Sequence, residues 1–353
     1  MDQRVQAAIE NWAPRFVANG VDLNVFRAVT AGIEAWEHWC AAWAKAAGVH
    51  ESLAEQALAA GDPTTAGAQF RQAAVTYHFA KFLFVNDREE MKDAHAQAVR
   101  CYGKALPLLD PPGERIEVPY HGTVMPAVLR RPPGGGQPPV VVLIPGLDSA
   151  KEEFHDLESS FLARGLATLS VDGPGIGESE YESVIEPCWE KPLGAVLDWL
   201  EARPDVDARR AGALGVSLGG NYAARAAAFE RRLRAAIDLA GPYSLGAAWE
   251  ALPGLTKEAF RIRSGSRTME EARNRARRLD LAGVAERIRC PLLIIHGRQD
   301  HLFPPDHPER LYREVQGPRS LWLLEGGNHV CNNVVYRWRL QMGHWMQQAL
   351  TGC

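Results

Sequence analysis

No stretch of this sequence approaches the roughly 18 uncharged apolar residues needed to cross a bilayer, which excludes a membrane-spanning helix. An excess of charge of one sign is also missing. Lysine and arginine number 39 against 43 acidic residues, a net charge of −4. A chain that binds nucleic acid or a membrane surface usually carries a clear basic excess, so neither partner is expected. The opening residues, Met1 to Phe16, lack a basic start followed by an apolar core, so no signal peptide is expected. The six cysteines, Cys40, Cys101, Cys188, Cys290, Cys331 and Cys353, are scattered and form no C-x-x-C pair. That removes zinc and dithiol redox motifs and points to reduced thiols in a cytosol. No metal or cofactor is called for, and a soluble cytoplasmic protein is the expectation.

What is present is ample material for a core: 46% of the 353 residues are apolar, enough for one large domain or two ordinary ones. Residues 1–110 read as an all-helical domain, rich in alanine, tryptophan and helix formers. Asp62-Pro63 is a helix start, with apolar positions Ala66, Phe70, Ala73, Ala74, Tyr77 and Ala80 at helical spacing behind it. Asp87 with Glu90 starts a second helix in the manner of a capping box. The run from Ala98 to Leu106 resembles one helix of a tetratricopeptide repeat, but a single match reads as an ordinary helix pair.

Asp110-Pro111-Pro112-Gly113 breaks this pattern, and residues 111–353 form the second domain. Arg115 to Pro119 and Thr123 to Arg130 read as strands joined by a turn at His121-Gly122. Apolar strands then recur at Val140–Ile144, Ala167–Val171, Ala211–Val216, Ala235–Leu239, Leu292–Ile295 and Leu321–Leu324, separated by helical patterns. That alternation implies βαβ units and a mostly parallel sheet flanked by helices. The charged, helical stretch at about 241–289 is too long for a plain connection and is expected to be a lid insertion.

Four motifs carry chemistry. Gly215-Val-Ser217-Leu-Gly219 fits G-x-S-x-G between a strand and a helix, the setting in which a strained turn lifts a nucleophilic serine above a sheet edge. Asp300 follows a late strand, in Ile295-His-Gly-Arg-Gln-Asp300, where an acid can fix the tautomer of a histidine. His329, in Glu325-Gly-Gly-Asn-His329, sits in a glycine-rich loop after the last strand, which suits a general base. Pro145-Gly-Leu147 follows the Val140 strand, so the backbone N–H groups of Leu147 and Leu218 are the expected oxyanion donors. The chain order Ser, Asp, His is that of an α/β-hydrolase, and it selects His329 among eleven histidines. Asp172-Gly-Pro-Gly-Ile-Gly-Glu-Ser179 has the wrong spacing for a dinucleotide loop and reads as a tight loop beside the site.

Together with Gly146 to Glu153, Asp172 to Ser179, Gly215 to Gly219 and His329 to Asn333, the chain resembles the 2,6-dihydroxypseudooxynicotine hydrolase branch of the α/β-hydrolases, and the related fungal polyketide-shortening hydrolases. The resemblance covers the helical domain as well. It implies hydrolysis of a carbon–carbon bond beside a ketone in a diketone-like or aromatic acyl small molecule, a homodimer, and a pocket between the helical part and the hydrolase core. Esterase or peptidase activity with the same triad, and a non-catalytic regulator that keeps the fold, remain alternatives. Serine attack on the ketone and direct activation of water by His329 both remain open. Glu250 in the lid is an extra proton donor with a raised pKa, a substrate contact or a solvated helix glutamate, and Tyr243 is open in the same way. Trp249, Phe260 and the aromatic residues of the N-terminal helices either line a pocket or form plain core.

Overall fold

The computed structural model describes residues 2–352, so Cys353 lies outside the described residues. Two compact units emerge. One runs up to Arg115 and takes in Glu152–Leu157, and the other holds Ile116–Lys151 and everything from Glu158 onward.

The first unit is built on α1 (Gln3–Ala18), α2 (Leu23–Ala31), α3 (Trp39–Ala59), α4 (Pro63–Lys81) and α5 (Arg88–Ala105). The caps read in the sequence are in place: Asp62 accepts from the Thr65 N–H, and Asp87 from the N–H groups of Glu89 and Glu90. Most of the aromatic residues of this unit are core. Trp36, Trp39, Trp43, Phe16 and Phe79 are fully buried, Phe16 stacks on Phe79 at 3.8 Å, and the Trp39 indole donates to the Phe79 carbonyl. The segment Glu152–Leu157 joins this unit through Glu153. Its carboxylate binds Arg15 at 2.6 Å, Asn19 at 2.6 Å and His78 at 3.1 Å. Burial alone would raise the Glu153 pKa, but the Arg15 guanidinium holds it well below the usual range.

The second unit carries an eight-stranded sheet of order β1-β2-β4-β3-β5-β6-β7-β8. The strands are β1 (Gly113–Tyr120), β2 (Thr123–Arg130), β3 (Pro139–Ile144), β4 (Ala167–Val171), β5 (Asp207–Val216), β6 (Leu233–Leu239), β7 (Leu292–Gly297) and β8 (Arg319–Leu324). β2 is antiparallel to β4, and every pairing from β4 to β8 is parallel. β3 is buried throughout, as expected of a parallel strand covered on both faces. β5 starts four residues earlier than its apolar run. Asp207 to Arg210 enter the sheet across a register shift, with the Asp207 carboxylate satisfying the Arg209 N–H and the Arg210 guanidinium. Charged residues at a bulge carry no apolar signal, so the sequence did not reveal this extension.

The helices of this unit are α6 (His155–Leu162), α7 (Glu190–Glu201), α8 (Leu218–Phe229), α9 (Leu245–Ala248), α10 (Gly254–Arg263), α11 (Met269–Ala276), α12 (Asp306–Glu314) and α13 (Arg339–Thr351); the first turn of α6 belongs to the Glu152–Leu157 segment. Helices α9 to α11 form the insertion between β6 and β7. A buried ion pair, Arg263 to Glu180 at 3.0 Å, and the bond from the Ile185 N–H to the Arg263 carbonyl tie α10 to the loop after β4. Trp249 and Phe260 pack edge to face inside the insertion. No helix among the described residues is long and apolar enough to cross a membrane.

Candidate active site

Register places the functional loops at one edge of the sheet. Ile144 pairs with Gly215, Val216 with Leu239, Leu239 with Ile295, and Gly297 with Leu324. The loops leaving β3, β5, β7 and β8 therefore start from neighbouring points on the carboxyl side.

Ser217 joins β5 to α8 with φ 56° and ψ −122°, a backbone state that costs a side-chain-bearing residue about 1–3 kcal/mol. Its neighbours hold it there. The Ser217 N–H donates to the Leu239 carbonyl at 2.8 Å, and its carbonyl accepts from the Gly220 N–H at 2.7 Å. The flanking glycines are dictated by contact: a Cβ on Gly215 would stand 1.8 Å from the Gly219 carbonyl oxygen, and one on Gly219 would stand 2.2 Å from that of Ile144.

Asp238 at the end of β6 lies beneath this turn and accepts the Gly241 N–H at 2.6 Å. Full burial pushes its carboxyl up to about 7. The folded chain keeps that proton while the unfolded carboxyl, near 3.8, ionises. Stability from this group is complete below about pH 4 and drains away as pH rises towards 7. Asp238→Asn keeps the acceptor for Gly241 and cannot ionise. Its melting temperature is expected to rise relative to the parent between pH 5 and 8, with up to about 4 kcal/mol at stake; a constant difference across that range would refute the assignment.

His329 links the serine to the acid. Its Nε2 lies 2.9 Å from Ser217 Oγ and its Nδ1 2.7 Å from Asp300 Oδ2. A carboxylate only accepts, so the ring proton sits on Nδ1 and the Nε2 lone pair faces the serine hydroxyl. The other Asp300 oxygen accepts from the N–H groups of Leu302 at 2.9 Å and Phe303 at 3.0 Å. Burial alone would raise the Asp300 pKa. The charge and hydrogen bond of His329, with His296 and the Phe303 N–H, outweigh burial and hold it below the usual carboxylate range. The Phe303 ring stands edge-on to the His329 ring at 5.4 Å.

The β3 loop passes directly over the nucleophile. A Cβ on Gly146 would lie 3.1 Å from Ser217 Cβ. Among the described residues the Leu147 N–H has no hydrogen-bond acceptor, and that of Leu218 is the first of α8, without an intrahelical acceptor. Further along this loop, Lys151 is buried. Its N–H donates to Asp172 Oδ1 at 2.9 Å and its ammonium to Oδ2 at 3.0 Å and to Glu178. The Asp172–Ser179 motif thus braces the β3 loop. Lys151, His296 and Phe303 were not picked out in the sequence. The spacing of His296 four residues before Asp300 was the available signal for the second, and only the fold brings Lys151 to Asp172.

Two proton-donor candidates are corrected. The Glu250 side chain is 72% exposed and pairs with Arg273 at 3.0 Å on the surface, so it is not a buried acid. The Tyr243 hydroxyl donates to Glu314, with the Arg310 guanidinium 4.2 Å over its ring, and the Tyr243 N–H donates to His307 Nδ1 at 2.9 Å. That hydroxyl is committed to α12.

A mostly parallel sheet with a serine turn after β5, an acid after β7 and a histidine after β8 defines an α/β-hydrolase. The chain belongs to the FrsA-like esterase family, whose model matches residues 31–250, and its later part also matches the prolyl oligopeptidase family over 156–352. It is 37% identical over 314 residues to the 2,6-dihydropseudooxynicotine hydrolase of Paenarthrobacter nicotinovorans, covering 88% of this chain and 84% of that one. The crystal structure of a 2,6-dihydroxy-pseudo-oxynicotine hydrolase matches with a TM-score of 0.89 at 34% identity, over 97% of this chain and 96% of the other. The 20-hydroxy-prefusarin hydrolase of Gibberella moniliformis is 32% identical over 226 residues, 59% of this chain and 53% of its own length. AbyA5, at 21% identity and a TM-score of 0.72, shares the fold. The chain is a hydrolase.

Proposed function

We propose that this hydrolase cleaves a carbon–carbon bond beside a ketone in a diketone-like or aromatic acyl small molecule, with Ser217, His329 and Asp300 as its triad. The observation that carries the reading is the unbroken hydrogen-bond chain from Asp300 through His329 to Ser217, in a chain 37% identical to the 2,6-dihydropseudooxynicotine hydrolase. His329 Nε2 takes the Ser217 proton as Oγ attacks the ketone carbon. The oxyanion forms against the Leu147 and Leu218 N–H groups. On collapse the carbon–carbon bond breaks and its electron pair leaves as a stabilised enolate or electron-rich arene. With Glu250 and Tyr243 turned elsewhere, the proton that this carbon takes up comes from the His329 imidazolium. Water, deprotonated by His329, then releases the acyl group as a carboxylic acid and frees Ser217.

The insertion of 241–289 serves as the lid, and the enzyme works as a homodimer in the cytosol; the five described cysteines, all free, suit a reducing compartment. Sedimentation at micromolar concentration reads the dimer directly. One specific observation favours a second reading: the matching family model describes an esterase. A panel of β-diketones, aryl ketones and p-nitrophenyl esters separates the two. Carbon–carbon cleavage abolished by Ser217→Ala is expected, whereas fast ester turnover with every ketone left intact would replace the first reading with the second.

A further inference from the structure

We propose that His296 is a positioning residue for the acid–base relay, bracing the loop that presents Asp300 and Phe303 to His329. The inference rests on the reading of Ser217, His329 and Asp300 as the catalytic groups. His296 is the next-to-last residue of β7 and is completely buried. Its Nε2 lies 2.7 Å from the Phe303 carbonyl oxygen and 3.3 Å from Asp300 Oδ2. The carbonyl can only accept, so Nε2 carries the ring proton and donates it. That bond spans the acid loop from its root to its far end and closes it.

Both residues that His329 meets on this side depend on that closure. The backbone N–H of Phe303 holds Asp300 Oδ1, while the Phe303 ring forms the wall against the His329 ring. The loop is also stitched to the histidine loop, since the Gln299 N–H donates to the Gly327 carbonyl at 2.9 Å. His296 fixes the remaining degree of freedom, the distance between the two ends of the acid loop.

The brace keeps its protonation state while the relay turns over. Among the described residues His296 Nδ1 is buried without a hydrogen-bond partner, and burial depresses the ring's pKa against the pull of Asp300. The titratable groups facing it are Asp300 from its own loop, His307 from α12 and His329 from the loop after β8. Burial lowers the His307 pKa as well, and Cys331, which also faces Asp300, is pushed up to about 12.

The test is the rate at which a fluorophosphonate probe modifies Ser217, from about pH 5 to about pH 9, in the parent, His296→Leu and His296→Gln. The probe reads the nucleophile whatever bond the enzyme cleaves in its substrate. Leucine keeps the bulk and loses the donor. Its rate is expected to fall about 10- to 100-fold, because a loosened loop misplaces Asp300. The acid limb should also move to lower pH, because an imidazolium less well held by Asp300 gives up its proton more readily. Glutamine can reach the Phe303 carbonyl with its amide and should recover most of both. Parent-like kinetics in His296→Leu would overturn the brace. So would an equal loss at every pH that glutamine does not rescue, since that is the signature of general destabilisation. An upward shift of the acid limb would recast His296 as a donor competing for Asp300. Failure of the parent itself to react would sink the relay, whereas a parent that reacts but cleaves no ketone would sink only the proposed substrate class.

Discussion

Ser217→Ala is expected to lower kcat by about 10⁴- to 10⁶-fold while leaving the melting temperature near that of the parent. The size follows from the geometry. His329 Nε2 stands 2.9 Å from Ser217 Oγ, so proton removal and attack are set up in one step, and alanine removes the atom that forms the bond. His329→Ala should cost about as much. The double variant should be scarcely worse than either single one, because the two side chains act as a unit. The Leu147 and Leu218 N–H groups remain, so activity some 10³-fold above the uncatalysed rate should persist. Fold should be spared, and even gain slightly, since the strained φ of 56° at residue 217 suits alanine no worse than serine. Single-turnover measurements with an aryl ketone decide between the two ways of using His329. If Ser217→Ala keeps a tenth or more of parental turnover, the serine is not the nucleophile and His329 activates water directly.

Much of this site was legible in the sequence because its parts are local. The Gly215–Gly219 turn, the acid after Ile295 and the glycine-rich loop before His329 each follow an apolar strand that can be read from a few residues, and their order along the chain is the one an α/β-hydrolase uses. The central strands were legible for the same reason: a buried parallel strand is a short apolar run. What escaped depends on long-range pairing. Nothing in the run Gly146 to Glu153 gives Lys151 a role until β3 and β4 lie side by side and its ammonium meets Asp172. The segment Glu152–Leu157 reads as part of the hydrolase domain, and the long-range bonds of Glu153 to Arg15, Asn19 and His78 assign it to the helical unit. Glu250 stayed undecided for the opposite reason. Its neighbours Trp249 and Leu252 are buried, but its own position on the short turn faces outward towards Arg273, and one-residue facing in a helical insertion is not set by local composition.

Gly219→Ala should remove both stability and turnover. The added Cβ would lie 2.2 Å from the Ile144 carbonyl oxygen and 2.7 Å from that of Pro145. Both are backbone atoms, so no side chain can rotate away. Relief requires the start of α8 to separate from the end of β3 by about 1 Å, against a close-packed interior. The expected cost is about 4 kcal/mol or more, seen as a lower melting temperature and poor soluble yield. Whatever folds should still be impaired. The same movement carries the Pro145–Leu147 loop away from Ser217, so kcat should fall by a further 10²- to 10³-fold, about the loss expected when one oxyanion donor goes. Gly103→Ala supplies the contrast. It lies in α5, where an added Cβ meets nothing within 4 Å, and alanine is the better helix former by about 1 kcal/mol, so stability should hold or rise. Gly219→Ala with the parental melting temperature and turnover would mean that β3 and α8 do not approach as closely as described, and the oxyanion assignment to Leu147 and Leu218 would fall with that contact.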